Sequence, residues 1–211
     1  MMRNILFDVD GVLINGYHAK PELCHYWDEN IEHDLGIDRQ HFKDNFIFKD
    51  FVSKVIVGKK DLFDALESYL PAANFNDDPQ IVIDYWMEND AKVNHELIAE
   101  IKRIKQKGTD NLFIATNQEK TRANYLMKNV GFSEYFSDIF YAGKIGFLKP
   151  SDRYFQFIED NLPKSEYKPV LFDDTQAIID FANNRGWEAY QFDGVEDLNK
   201  CEYIKDILSN D

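Results

Sequence analysis

At 211 residues and a formal net charge of −14, the chain is long enough to bury a core. It is too acidic for nucleic acid or an anionic membrane to be a general partner. Its 44% hydrophobic and 15% aromatic content excludes a disordered chain, and two cysteines, Cys24 and Cys201, in no metal-ligand spacing, read as ordinary reduced thiols.

The start, MMRNILFDVD, has too short an apolar run for a signal peptide, and no run reaches transmembrane length, so a cytoplasmic location is expected. The first buried strand is NILF (4–7). From about 16 to 90 no strand pattern occurs. Helical stripes run through Leu23, Trp27, Ile31 and Leu35, then Leu62, Phe63, Leu66 and Leu70, then Ile81, Tyr85 and Trp86. LPAANFNDDP (70–79) reads as a loop between two of them.

After residue 95 helices and strands alternate. Leu97, Ile98, Ile101 and Ile104 predict a helix before strand NLFIAT (111–116). Ala123, Leu126, Met127 and Val130 predict another, stopped by Gly131, before strand DIFYA (138–142). Tyr154, Phe155, Ile158 and Leu162 lead to strand PVLF (169–172). Ile178, Phe181 and Ala182, stopped by Gly186, lead to a weaker strand, WEAYQF (187–192). Such alternation predicts an α/β fold, a Rossmann-like, doubly wound parallel sheet with helices on both faces. The expected organisation is a discontinuous core of residues 1–15 and 91–211, with 16–90 as a helical cap.

In an open parallel sheet, ligands bind beyond the carboxyl ends of the strands. Asp8 and Asp10 follow the first strand in FDVDGV, and Thr116 and Asn117 follow the second. Lys149 and Pro150 sit in the loop after the third, and Asp173 and Asp174 follow the fourth. Several carboxylates brought together repel one another unless a cation joins them, and hard oxygen ligands suit Mg²⁺. A lysine and a short hydroxyl or amide would complete a cradle for a phosphoryl group. One carboxylate can serve as nucleophile and another, two residues on, as general acid and base.

DVDGV, ATN, KP and FDD, in this order, resemble the four signature motifs of the haloacid dehalogenase-like (HAD) superfamily, and the resemblance covers essentially the whole chain. The helical insertion resembles the cap of its class I members. The resemblance implies Asp8 as nucleophile, Asp10 as general acid and base, Thr116 and Asn117 as donors to the phosphoryl group, and Lys149 as the charge-balancing lysine. It implies Mg²⁺ held by the Asp8 carboxylate, the Asp10 backbone carbonyl and Asp174, with Asp173 acting through water or orienting the site. Asp10 points to phosphoryl chemistry, because an alkoxide leaving group needs a proton and a halide does not; dehalogenases of this superfamily lack that aspartate.

One departure is Ile178, which stands where relatives often carry an asparagine, so a change in how the metal ligand is supported is expected. Asn15 stands where many relatives carry an acid and receives no role. The activity so implied is a Mg²⁺-dependent phosphohydrolase acting on a small phosphomonoester, a sugar phosphate or similar metabolite. A phosphomutase, or a non-catalytic binding or regulatory protein on the same scaffold, remain the alternatives.

Blander roles stand beside these. TNQE also reads as a helix N-cap with an acid beyond it. The five histidines show no ligand spacing and read as surface or packing residues. Tyr26, Trp27, Tyr85 and Trp86 fall on helix stripes and read as core. Lys54, Lys59 and Lys60 read as solvated surface.

Overall fold

The structure, a computed structural model, describes residues 2–108 and 110–209. β1 (Arg3–Phe7) is buried along its whole length. It is followed by α1 (Ile31–Leu35), α2 (Arg39–Phe42), a π-wound helix (Lys43–Val55) continuous with α2, α3 (Leu62–Tyr69) and α4 (Pro79–Asn89). Then α5 (His95–Gln106), β2 (Asp110–Thr116), α6 (Lys120–Lys128), β3 (Asp138–Tyr141) and α7 (Ala142–Ile145) lead to α8 (Asp152–Asn161), β4 (Val170–Asp173), α9 (Gln176–Asn184), β5 (Glu188–Gln191) and α10 (Glu202–Ser209).

All five strands pair in parallel, in the order β3-β2-β1-β4-β5, as the predicted α/β fold requires. Leu6 of β1 lies opposite Phe113 of β2 and Leu171 of β4. The chain builds outward from β1 through β2 and β3, then crosses back to lay β4 and β5 on the other side. That reversal opens a crevice at the carboxyl ends of β1 and β4, where a doubly wound sheet binds its ligand.

Side-chain alternation along the strands divides the core. Ile5, Phe7, Leu112, Ile114 and Phe172 face Leu97, Ile101 and Ile204 of α5 and α10. Leu6, Phe113, Ala115 and Leu171 face Phe155 and Ile158 of α8 and Ile178 and Ile179 of α9. A third cluster, including Phe42, Phe46, Phe51, Leu66 and Trp86, belongs to the helical residues between β1 and α5. The two segments that join those residues to the sheet run side by side. Ile14 bridges Val93 antiparallel, and the Asn15 N–H donates to the Lys92 carbonyl at 2.7 Å.

The helical part differs from its sequence reading at three places. The stripe from Leu23 to Leu35 is not one helix: Pro21–Leu23 form a single 3₁₀ turn and helix resumes only at Ile31. Trp27 leaves that path to stack on Trp86, with ring centroids 4.3 Å apart. The long helix from Arg39 to Val55 carries no 3.6-residue stripe. Its buried residues Phe42, Phe46, Phe51 and Val55 recur at wider spacing, because the π-winding bonds the Ile56 N–H to the carbonyl of Phe51, five residues back. The expected loop 70–79 begins with a 3₁₀ turn at Leu70–Ala73. No helix among the described residues is long and apolar enough to cross a membrane.

Candidate active site

The crevice gathers Asp8, Asp10, Thr116, Asn117, Lys149 and Asp174 around one cavity of about 450 Å³. Asp8 follows β1 directly. Its backbone N–H donates to the Phe172 carbonyl of β4 at 2.9 Å, so the strand pairing sets its position. Its Oδ1 accepts from the Val9 N–H at 2.6 Å and lies 2.9 Å from the Lys149 Nζ.

Lys149 spends all three ammonium hydrogens: on Asp8, on the Asp173 carboxylate at 2.6 Å, and on the Ala115 carbonyl at 2.7 Å. Burial works against its charge, yet Asp173 and Asp8 outweigh burial and hold the ammonium above its ordinary range. Asn117 fixes the loop that carries it. The Asn117 amide donates to the Lys149 carbonyl at 2.9 Å and accepts from the Lys149 N–H at 2.8 Å, so both ends of that side chain are engaged. Thr116 is the last residue of β2 and is buried beside the cavity.

Asp173, the last residue of β4, is fully buried; besides Lys149 it accepts from the Thr175 N–H at 2.9 Å, at the start of α9. Asp174 accepts from the Ala19 N–H at 2.6 Å and from the Thr175 hydroxyl at 3.0 Å. These two donors support it beside Ile178, which packs in the core below. Gly11, at φ +74°, lets the chain turn after Asp10; a Cβ there would collide with the Asp174 carboxylate.

Asp8, Asp173 and Asp174 each bring a carboxylate oxygen within 4.8 Å of the others. Of the three, Asp8 and Asp173 share the one Lys149 ammonium. The imbalance is felt at Asp8: burial, with the charges of Asp173 and Asp10, pushes its carboxyl up to about 7 despite Lys149. Burial raises Asp173 and Asp174 as well. An oxygen-rich, over-negative cluster of this kind fits a hard divalent cation.

Asp10 stands apart from that cluster. Arg122 of α6 grips it with both terminal nitrogens, at 2.8 and 2.9 Å, and Gln118 donates to it at 2.5 Å. The same guanidinium reaches the Asp90 carboxylate at 3.0 Å and its carbonyl at 3.0 Å, at the end of α4. Burial lowers the tendency of Arg122 to stay charged, but Asp10 and Asp90 outweigh it and raise its pKa. Asp90 shares that single cation, and burial pushes it up to about 7.

Arg122, Gln118, Asp90 and the Ala19 amide were not among the residues singled out from the sequence. A signal for Arg122 exists: it sits four residues before Leu126 on the buried face of α6, and a buried arginine requires a carboxylate partner. Which carboxylate is not written locally, since Asp10 lies 112 residues away. The cap of α6 is Glu119, which accepts from the Thr121 and Arg122 N–H groups; the helix therefore starts later than a cap at Thr116 or Asn117 would place it. Of the histidines, His18 is buried 3.6 Å from Asp174 and His25 lines the cavity. Tyr26, Trp27 and Trp86 also line it.

Known structures share this architecture. A HAD family enzyme of Bacteroides thetaiotaomicron, in complex with magnesium and inorganic phosphate, superposes with a TM-score of 0.69 at 15% identity, over 90% of this chain and 94% of that one. A predicted HAD-like family hydrolase of Porphyromonas gingivalis matches over 100% of both chains, with a TM-score of 0.70 and 21% identity. A HAD phosphatase of Thermococcus onnurineus gives 0.57 at 17% identity, covering 89% of this chain and 85% of its own. No sequence relative was found among curated proteins. The sequence model of the haloacid dehalogenase-like hydrolases matches residues 2–186, and the chain belongs to that family.

Proposed function

We propose that the protein is a Mg²⁺-dependent phosphohydrolase that cleaves a small phosphomonoester through an aspartyl-phosphate intermediate. The observation that carries this reading is the Asp8 carboxylate, held by Lys149 and gathered with Asp173 and Asp174 at the mouth of the sheet, with Asp10 on the same cavity. The magnesium and phosphate in the Bacteroides relative support it. Asp8, Asp174 and the Asp10 carbonyl would hold the metal. When bound, Mg²⁺ would offset the charge that otherwise keeps a phosphate away from these acids.

The Asp8 carboxylate, held by the Val9 N–H and by Lys149, is the attacking group. It forms a bond to phosphorus as the bond to the leaving oxygen breaks; Asp10, carrying a proton taken from solvent and released from at least one of the Arg122 and Gln118 donors, delivers it to that oxygen. Water then attacks phosphorus, Asp10 takes its proton, and the Asp8–phosphorus bond breaks to release phosphate. Thr116 holds a phosphoryl oxygen, and Lys149, its three donors already engaged, balances the charge on Asp8. Residues 16–90 act as a cap over the core of 1–15 and 91–211, and exclude bulk water.

Hydrolysis of a generic aryl phosphate, with Mg²⁺ and with chelator, by the wild type and Asp8→Asn, tests this reading. Turnover is expected only in the wild type with Mg²⁺. Equal rates in every condition would sink it.

A further inference from the structure

Asp8, Asp10 and Asp174 line one side of the cavity, at the ends of the strands. Its opposite wall comes from the π-wound helix, which presents Ile47, Phe48, Phe51 and Val52 to the space, and from the stacked pair Trp27 and Trp86. π-Winding keeps residues four and five apart on one face, so this row stays aligned above the site. Phe48 is 70% exposed and Val52 39%, so their apolar surface faces the cavity without a protein partner to cover it. Phe51 also packs against Trp86, with centroids 4.8 Å apart and the rings tilted by 45°, so the wall is continuous with the apolar cluster behind it.

Charges on this wall are already spent on each other. Asp28 is buried and bound by Arg39 at 2.9 Å and Lys43 at 3.5 Å. Lys43 also lies over the Tyr26 ring, 4.8 Å from its centroid. A sugar enclosed here would lose water from several hydroxyls; Tyr17, His25 and Tyr26 are the uncharged polar side chains that the helical residues bring to the cavity, against the apolar row of Ile47, Phe48, Phe51 and Val52, which disfavours it. A flat ring would instead pack on the exposed Phe48 and the half-buried Trp27, which Trp86 backs.

We propose that the leaving group is aromatic: the substrate is a phosphomonoester whose alcohol carries a flat, largely apolar ring, not a sugar phosphate. This rests on the phosphohydrolase reading and narrows its substrate class. The phosphate meets Asp8 and Thr116, and the ring lies under the π-wound helix.

The test compares kcat/KM for 2-naphthylmethyl phosphate with glucose 6-phosphate and glycerol 3-phosphate, by the wild type, Phe48→Ser and Val52→Ser. Both variants remove exposed side chains, so folding is expected to survive; Ile81→Ser, exposed on α4 and away from the cavity, is the control. The naphthylmethyl ester is expected to exceed the glucose and glycerol phosphates by at least ~10-fold, and Phe48→Ser to raise its KM by about 10-fold. The inhibition constant of inorganic phosphate should stay unchanged in the same variant. Glucose or glycerol phosphate turned over better than the naphthylmethyl ester, with Mg²⁺ and Asp8 still required, would overturn the inference and leave the phosphohydrolase standing.

If no ester is cleaved, the phosphohydrolase reading fails, and binding of 2-naphthylmethylphosphonate decides the inference by itself. Affinity no greater than that of methylphosphonate, read by tryptophan fluorescence, would overturn it.

Discussion

Arg122 holds the proposed proton-transfer residue to the end of the helical insertion, and replacing it with methionine should expose how much depends on that grip. The Arg122 side chain is 6% exposed and that of Asp90 9%, so solvent cannot replace the lost partner at Asp90. Asp10 is 24% exposed and can rehydrate. Removing one member of a buried charge group costs about 3–5 kcal/mol. For a chain of this length that lowers Tm by about 6–20 °C. Most of the cost sits on Asp90, so Arg122→Met combined with Asp90→Asn should recover about 1–3 kcal/mol relative to Arg122→Met.

Arg122→Lys keeps the charge but loses the two-pronged geometry. It should fold with a smaller loss of about 1–2 kcal/mol. Its kcat should fall about 10- to 100-fold, because Asp10 is no longer held in one orientation. Thermal melts without metal and steady-state hydrolysis of an aryl phosphate measure both effects. An Arg122→Met protein that melts within about 2 °C of wild type, or a double variant no more stable than the single, would refute the reasoning.

Further expectations concern the acid cluster. Asp8 is raised from 3.8 to about 7, so in the metal-free protein its contribution to stability is full below pH 3.8 and is lost as pH rises through 7. Asp8→Asn removes that loss: its metal-free Tm at pH 8 should be no lower than wild type, while turnover falls about a thousandfold or more. Protons compete with the cation at Asp8, so Mg²⁺ affinity measured by calorimetry should weaken about tenfold from pH 8 to pH 6; a pH-independent affinity would remove Asp8 from the ligand set. Gly11→Ala forces a Cβ into Asp174 at a backbone φ of +74°. It should cost about 1–3 kcal/mol in stability and abolish measurable Mg²⁺ binding, with far-ultraviolet circular dichroism preserved.

Short-range pattern determined much of this protein. Apolar runs bounded by polar residues set the five strands, and Gly186 marked a helix stop, because burial and backbone freedom are local properties; the helix expected to run to Gly131 ends earlier, at Lys128. Asp8, Asp10, Asp173 and Asp174 were legible as a potential site for the same reason: each stands at or just past the carboxyl end of a strand, and a parallel sheet aligns those ends. Tertiary structure alone decided the rest. The π-wound helix escaped because its buried residues recur at wider spacing than a 3.6-residue period detects. Trp27 matched a helix stripe but is held by stacking on Trp86, 59 positions along the chain. Arg122 could be read as needing an acid, but only the packing of α6 against the turn after β1 and the end of α4 selected Asp10 and Asp90. An ion pair between residues so far apart in sequence leaves no periodicity, since the chain that brings them together has to fold first.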